Sequence, residues 1–210
     1  MPGSYNPGMR FFACLLTASL SLAAFPLGAQ EAVRPEAPAG EAAPAARPSS
    51  DASRLDTLFE RLARAESERE AEGIASLIER RFSRSGSDTA DLLLSRAAEA
   101  FLAKNYALSV ELLDRVVALE PDWAEAWYKR ATVFYQLDDP VGAMADLYRA
   151  LSIEPRHFNA WTGLGHILMA SEDKERALIA YRRALALNPK LSSIQTIVSR
   201  LDVEVGGQDL

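Results

Sequence analysis

Apolar residues recur at helical spacing along most of the chain and are interrupted by short polar breaks. Leu55, Leu58 and Leu62 are three and four positions apart, which places them on one face of a helix. The same spacing returns after a break near Gly73, at Ile74, Leu77, Ile78 and Phe82. Two short amphipathic helices in succession predict a helical hairpin over residues 53–89.

From residue 90 onward, residue types recur with a period of 34. Trp127 and Trp161 are 34 positions apart, and Ala97, Ala131 and Gly165 keep the same interval. Further rows in register are Ala100, Phe134 and Leu168; Ser109, Ala143 and Ala177; Leu113, Leu147 and Tyr181; Val116, Ala150 and Ala184; and Pro121, Pro155 and Pro189. Rows that stay in register over three periods indicate an internal repeat.

Each row has a physical role in a unit of two helices. Small residues in the rows of Ala131 and Ala143 allow the two helices of one unit to approach closely, where a bulky side chain would overpack the crossing. Asn105, Asp139 and Asp173, again 34 apart, are predicted to cap the free N–H groups at the start of each second helix. The closing prolines are predicted to end those helices.

This pattern of Trp, small, aromatic and Pro positions resembles the tetratricopeptide repeat. The resemblance implies an all-α fold, a right-handed α-solenoid of helix-turn-helix repeats at 90–123, 124–157 and 158–189. Arg96 and Arg130 replace the usual Leu, and Asp138 and Glu172 stand where Gly is common. The hairpin at 53–89 is then either a degenerate repeat or an N-terminal cap. Residues 190–205 are predicted as a C-terminal capping helix, followed by a tail at 206–210.

The same resemblance implies a concave groove lined by the first helix of each unit, suited to a protein or peptide with an apolar or amphipathic segment. The groove positions, mapped onto this sequence, are Leu94, Phe101, Glu125, Tyr128, Lys129, Thr132, Tyr135, Asn159, Thr162, His166 and Met169. Packing against the N-terminal hairpin is an equal alternative for Leu94 and Phe101. One subset of the family clamps the C-terminal carboxylates of chaperones with paired Lys and Asn. Leu94 and Ala98 occupy the matching positions here, which argues against that ligand.

The first 29 residues have the pattern of an export signal. Arg10 precedes the apolar stretch from Phe11 to Leu27, and small residues follow up to Ala29. An uncleaved membrane anchor is the alternative, but the stretch is shorter than the ~20 residues that usually cross a bilayer. Residues 30–52 carry four Pro and few apolar side chains that could be buried, so they are predicted as a disordered Pro/Ala-rich linker.

Composition narrows the classes of function. A net charge of −6 without a basic run argues against nucleic-acid binding. The single Cys, Cys14, lies in the export signal, so thiol chemistry and thiolate metal sites are excluded from the processed chain. His157 and His166 are the only imidazoles, and His157 is predicted in an exposed or capping position. No enzyme, metal or cofactor is therefore expected.

Two hypotheses remain at the level of sequence. The first is a non-catalytic scaffold or adaptor that binds a protein or peptide in its groove. The second is a self-associating structural module without a separate client. The export signal and the excess of Arg over Lys favour the periplasm of a bacterium, with no membrane association after cleavage. The sequence does not specify the oligomeric state.

Overall fold

The computed structural model describes residues 50–206, and the side chains of residues 54–206. This part of the chain is all α-helical, which confirms the predicted fold class. Its helices are α1 (Ser50–Ala63), α2 (Glu68–Phe82), α3 (Asp88–Leu102), α4 (Tyr106–Leu119), α5 (Ala124–Gln136), α6 (Pro140–Ile153), α7 (Phe158–Ala170), α8 (Lys174–Leu187) and α9 (Ser192–Gly206). The predicted export signal, most of the predicted linker and the predicted tail beyond Gly206 lie outside the described residues. Because α1 begins at Ser50, the last residues of the predicted linker are helical.

The second helices begin where the repeat register places their caps. The side chains of Asn105, Asp139 and Asp173 each accept a hydrogen bond from the backbone N–H three residues later. Pro140 occupies a first helical position, where its missing N–H costs nothing. The capping prediction is therefore confirmed in all three units.

The residue before each cap adopts a left-handed backbone conformation. Lys104, Asp138 and Glu172 all have φ of 58°, a region that side chains with a Cβ rarely occupy. This accounts for the glycine that the family favours at this position. The cost here is roughly 1–2 kcal/mol per residue, and it is repeated in each unit because the turn geometry is repeated.

The helices of each unit pack through the predicted small residues. Ala97, Ala131 and Gly165 are buried on the first helices, and Ser109, Ala143 and Ala177 are fully buried on the second. In the first unit the Ser109 hydroxyl also donates to the carbonyl of Ala97 at 2.9 Å. The close approach is tightest in the third unit, where Gly165 faces the buried ring of Tyr181.

Gly163 and Gly165, both on α7, provide a matched test of this packing. A Cβ on Gly165 would lie 2.5 Å from the Tyr181 ring, whereas one on Gly163 would lie 3.6 Å from Leu147. Gly165→Ala is expected to lower the free energy of unfolding by roughly 1–2 kcal/mol, because overpacking outweighs the gain in helix propensity. Gly163→Ala should raise it by about 0.5–1 kcal/mol. Urea denaturation measures both, and equal effects of the two substitutions would contradict the packing.

The repeated Trp links consecutive units. The indole N–H groups of Trp127 and Trp161 donate to the carbonyl of the closing proline six positions earlier, at 3.0 and 2.9 Å. Gln195 occupies the same register position in α9, and its side-chain amide donates to the carbonyl of Pro189 at 2.6 Å. The capping helix therefore continues the repeat as the first helix of a further unit.

Arg130, which stands where the family usually has Leu, is held by carboxylates of two second helices. Its guanidinium makes two hydrogen bonds to Asp146, at 2.7 and 2.8 Å, and one to Asp114 at 2.8 Å. Asp146 is buried, and the pKa of Arg130 is raised by these hydrogen bonds. Arg96 is the corresponding residue of the first unit. Within the described chain it makes no ion pair with a second helix and pairs only with Glu99 of its own helix.

The N-terminal hairpin does not occupy the place predicted for it. Its core, which includes Leu62, Ile74 and Ile78, packs against Phe158 of α7 and Leu187 of α8. It contains no residue of α3, the first helix of the first unit. The hairpin core is therefore in contact with the third unit, at the start of α7 and the end of α8.

Polar contacts hold the hairpin along the edge at which the first helices begin. The Trp123 indole donates to the Phe82 carbonyl at 2.6 Å, and Arg156 pairs with Asp56 at 2.6 Å. Further contacts, Asn159 to Glu79 at 2.8 Å and Ser192 to Glu68 at 2.6 Å, lie at the starts of α7 and α9. The hairpin therefore spans the starts of α5, α7 and α9 in a single row of contacts.

Candidate peptide-binding groove

Two cavities lie side by side on the surface formed by the first helices. The first cavity is between α3 and α5, with Leu113 of α4 in its floor, and the second is between α5 and α7, with Leu147 of α6 in its floor. Tyr128 and Thr132 line both cavities. We call the two cavities together the inner groove.

Nine of the eleven predicted site residues line the inner groove. The first cavity contains Leu94, Phe101, Tyr128, Lys129 and Thr132. The second contains Tyr128, Thr132, Tyr135, Asn159, Thr162 and His166. Leu94 and Phe101 pack in a cluster with residues of α4 and α5 and not with the hairpin. Of the two alternatives for these residues, packing against the hairpin or lining the groove, the structure has the second.

Met169 and Glu125 differ from the prediction. Met169 lines neither cavity and is partly buried against the core of the second and third units. Glu125 borders a separate shallow pocket, but its side chain is buried and already bonded. Met169 therefore lies outside the inner groove, and Glu125 borders the neighbouring pocket that Tyr128, Lys129 and Asn159 also line.

Several groove residues were not identified from the sequence. The floor is made by buried residues such as Ala97, Leu113 and Ile167, whose periodic positions indicate core. Next to the inner groove, Tyr128 and Lys129 also border a further pocket, whose other wall is made by α2 with Ser76 and Glu79. The periodicity could have identified the floor, but no local signal places α2 beside the groove.

The inner groove is apolar and almost uncharged. Among the described residues, no carboxylate lines either cavity, and Lys129 is the one charged side chain in their walls. Lys129 pairs with Glu125 at 3.1 Å and lies 5.3 Å from the centre of the Tyr128 ring. Burial lowers the pKa of Lys129, but the Glu125 carboxylate outweighs that effect, so its pKa is raised. The charge of Lys129 is thus already neutralised by a neighbour.

His166 is the imidazole of the groove. Burial lowers its pKa, so it is neutral near pH 7. Its Nδ1 is 2.8 Å from the Tyr181 hydroxyl, and burial raises the pKa of Tyr181 to about 12. The protonated hydroxyl of Tyr181 can donate to Nδ1 and leave Nε2–H as a donor toward a ligand.

His157 is buried next to the groove and joins three parts of the molecule. Its Nδ1 accepts the backbone N–H of Ala160 at 3.2 Å, so Nε2 carries the proton and donates to Glu125 Oε2 at 3.0 Å. Its ring stacks on Phe82 of the hairpin and lies against Tyr128 of the groove. Of the two roles predicted for His157, exposed or capping, the structure has the capping role, and Phe82 of the hairpin stacks on the buried ring.

The carboxylate of Glu125 is stabilised in its charged form. Burial alone would raise its pKa, but the hydrogen bond from His157 and the charge of Lys129 outweigh burial and lower the pKa below its ordinary value. Glu125, His157 and Lys129 thus form a chain of polar contacts that fixes Tyr128 between the two cavities.

Over residues 50–206, neither a metal site nor a membrane span is found. No group of three or more His, Cys, Asp or Glu side chains is arranged to hold a metal ion in this part of the chain. None of the described helices is both long and apolar enough to cross a membrane.

Comparison with known proteins identifies the repeat. The tetratricopeptide repeat family model matches residues 94–153 and 158–191. A TPR repeat-containing protein of Rhizobium etli is 36% identical over 99 residues, which are 47% of this chain and 48% of that protein. The chain thus spans about half the length of the curated relative it matches. Residues 94–153 and 158–191 thus match the tetratricopeptide repeat, a repeat of protein–protein interaction modules.

Solved structures agree in fold. The first TPR of Spaghetti (RPAP3), bound to an HSP90 peptide, has a TM-score of 0.54 at 18% identity, covering 57% of this chain and 95% of that chain. The Yersinia enterocolitica type III secretion chaperone SycD, in complex with a peptide of the translocator YopD, has a TM-score of 0.54 at 12% identity, covering 56% and 95%. At such identities the likeness shows the fold alone.

Proposed function

We propose that this protein is a non-catalytic periplasmic adaptor that binds an apolar or amphipathic segment of another protein in its inner groove. The observation that carries the proposal is the pair of apolar cavities on either side of Tyr128 and Thr132. A role in envelope assembly or in the maturation of exported proteins fits such an adaptor.

The shape of the groove specifies the kind of segment. Two neighbouring cavities suit two apolar side chains of one peptide, with the peptide backbone crossing the ridge formed by Tyr128 and Thr132. Tyr135 and His166 at the rim have apolar rings with polar tips, a combination suited to a wet binding surface. The ligand therefore requires two apolar anchors and no charged group.

A C-terminal carboxylate is a poor ligand for this groove. Leu94 and Ala98 line the first cavity where a clamp would need donors, and Lys129 is already paired with Glu125. Peptide complexes of RPAP3 and SycD support a peptide ligand in general. The chemistry of the groove favours an internal apolar segment over a chaperone tail.

The absence of catalysis is part of the proposal. The His166 Nδ1 is engaged by Tyr181, and His157 is enclosed between Phe82 and Tyr128. The hydroxyl beside His166 is that of Tyr181, and because burial raises its pKa to about 12 it is a poor nucleophile near pH 7. The groove is therefore suited to binding alone.

The periplasmic location is proposed from the N-terminal sequence. Arg10, the apolar stretch that begins at Phe11 and the small residues up to Ala29 support export and cleavage. An uncleaved anchor would leave the same groove facing the same compartment, so the adaptor role does not depend on cleavage.

The test is affinity capture from the cell's own envelope extract with the parent chain and Tyr135→Glu. Tyr135 lines the second cavity and is 46% exposed, so a charge there is expected to weaken binding roughly thirtyfold or more, the equivalent of about 2 kcal/mol. The matched control is Tyr148→Glu, since Tyr148 is 48% exposed on α6 and lines neither cavity. Affinity is then measured by titration with a synthetic apolar segment of the captured protein. Equal binding by the parent chain and Tyr135→Glu would contradict a groove ligand.

A further inference from the structure

The 34-residue register allows α3 to be compared, position by position, with the first helices of the later units. The position of Leu92 corresponds to Ala126 in α5, Ala160 in α7 and Ile194 in α9. Those three residues are at most 3% exposed, whereas Leu92 is 59% exposed. Leu92 is thus an apolar residue at a position that is buried in every other unit.

A second position shows the same contrast. Val133, Ile167 and Leu201 are buried at one register position on α5, α7 and α9. The corresponding residue of α3 is Glu99, whose side chain is 62% exposed. We call the surface of α3 that carries Leu92 and Glu99 its outer face. This face is exposed and includes a charged residue, whereas the same face of α5, α7 and α9 is buried and apolar.

The cause of the difference is the position of the hairpin. In the later units a second helix packs on this face: α4 covers α5, α6 covers α7 and α8 covers α9. The hairpin lies along the starts of α5, α7 and α9, and among the described residues no helix packs on the outer face of α3. The first unit thus presents an unpartnered helix face at the end of the solenoid.

We infer that this face binds a second copy of the chain, with the two α3 helices antiparallel about a two-fold axis between Arg96 and Glu99. Leu92, Arg96, Glu99 and Ala103 are spaced by four, three and four residues, which makes one stripe along the helix. All four are exposed. An isologous contact requires such a self-complementary surface.

Charge complementarity favours a second copy over any other occupant. Antiparallel pairing about that axis brings Arg96 of each copy against Glu99 of the other, so both charged pairs are satisfied at once. The same arrangement places Leu92 against Ala103 and next to Leu102, which is 80% exposed. The interface thus has two reciprocal ion pairs at its centre and an apolar contact at each end.

The test is sedimentation velocity on the full chain over a wide range of concentration. The parent chain is expected to show a reversible monomer–dimer equilibrium. Leu92→Glu places a charge in the apolar contact at each end of the interface and is expected to raise the dimer dissociation constant roughly tenfold or more. Because Leu92 is exposed in the single chain, the substitution should leave helicity by circular dichroism unchanged.

Charge exchange at the centre tests the antiparallel arrangement. Arg96→Glu and Glu99→Arg each place like charges opposite one another in the homodimer, so each variant alone is expected to be monomeric. Mixed together, the two variants should form a heterodimer. In it, the carboxylate introduced at position 96 of one copy faces the guanidinium introduced at position 99 of the other, and the two unchanged residues face each other as in the parent dimer. The double variant R96E/E99R should also dimerise as the parent chain does. Each single variant carries like charges at positions 96 and 99 of its own helix, and mixing does not remove them. A dimer that forms on mixing therefore reports pairing between the two copies.

Three results would overturn the proposal. First, a chain that stays monomeric at every concentration would show that no second copy binds this face. Residues 1–49 or another protein would then cover the face, or it would stay open. A dimer that Leu92→Glu does not weaken uses another surface. Variants that weaken the dimer without recovery on mixing would exclude the antiparallel pairing. None of the substituted residues lines the inner groove, so failure here leaves the adaptor proposal untouched.

Discussion

His157→Ala is expected to lower the free energy of unfolding by about 3–5 kcal/mol, although His157 is one residue in a turn between repeats. The substitution removes the donor to the buried carboxylate of Glu125 and leaves Lys129 as its remaining partner, and breaking a buried polar pair is strongly destabilising. It also removes the acceptor for the Ala160 N–H and the ring between Phe82 and Tyr128. The substitution therefore weakens the N-terminal cap of α7, the contact with the hairpin and the support of Tyr128 in the groove at the same time.

Urea denaturation followed by circular dichroism measures this effect, with Glu125→Gln as the matched comparison. A Gln side chain has nearly the same volume and can still accept from His157 Nε2–H, so that variant should lose less than half as much stability. Amide hydrogen exchange should show that α2 loses protection in His157→Ala, because Phe82 no longer has the imidazole to stack on. A loss of less than about 1 kcal/mol in His157→Ala would mean that the buried network contributes little.

Phe158→Ala is expected to cost about 3–5 kcal/mol and to release the hairpin from the solenoid. Phe158 belongs to α7, but its side chain is 2% exposed within the cluster formed by the hairpin residues Leu62, Ile74 and Ile78. Truncation leaves a cavity at the only large apolar contact that α7 makes with the hairpin within the described chain. The remaining links are the contact with Leu187 of α8, the stacking of Phe82 on His157, and polar pairs that are mostly exposed and contribute little on their own.

Hydrogen exchange by mass spectrometry separates loss of the hairpin from general unfolding. In Phe158→Ala, amides of α1 and α2 should exchange faster while those of α6 and α8 keep their protection. Phe158→Leu retains most of the buried volume and should cost roughly 1–2 kcal/mol with little change in exchange. Uniformly faster exchange over all helices would show instead that the hairpin and the repeats unfold as one unit.

The repeats, their caps and most of the groove follow from the sequence because they depend on local spacing. Asn105, Asp139 and Asp173 cap helices through hydrogen bonds to residues three positions away. The groove positions on α3, α5 and α7 follow from the family register, and nine of them line the cavities. Met169 does not, because a resemblance gives the helix face but not the packing of each side chain, and Met169 is partly buried against the core.

The place of the hairpin and its consequences were decided only by the tertiary structure. Glu79 meets Asn159 across 80 residues, and Asp56 meets Arg156 across 100. Contacts at such separation leave no periodic signal, since each depends on how whole helices settle against turns formed elsewhere. The sequence by itself determined the repeated units and the small, capping and aromatic residues within them. The burial of His157, the wall beside Tyr128 and the open face at Leu92 result from which apolar surface the hairpin covers, a choice made by packing over the entire solenoid.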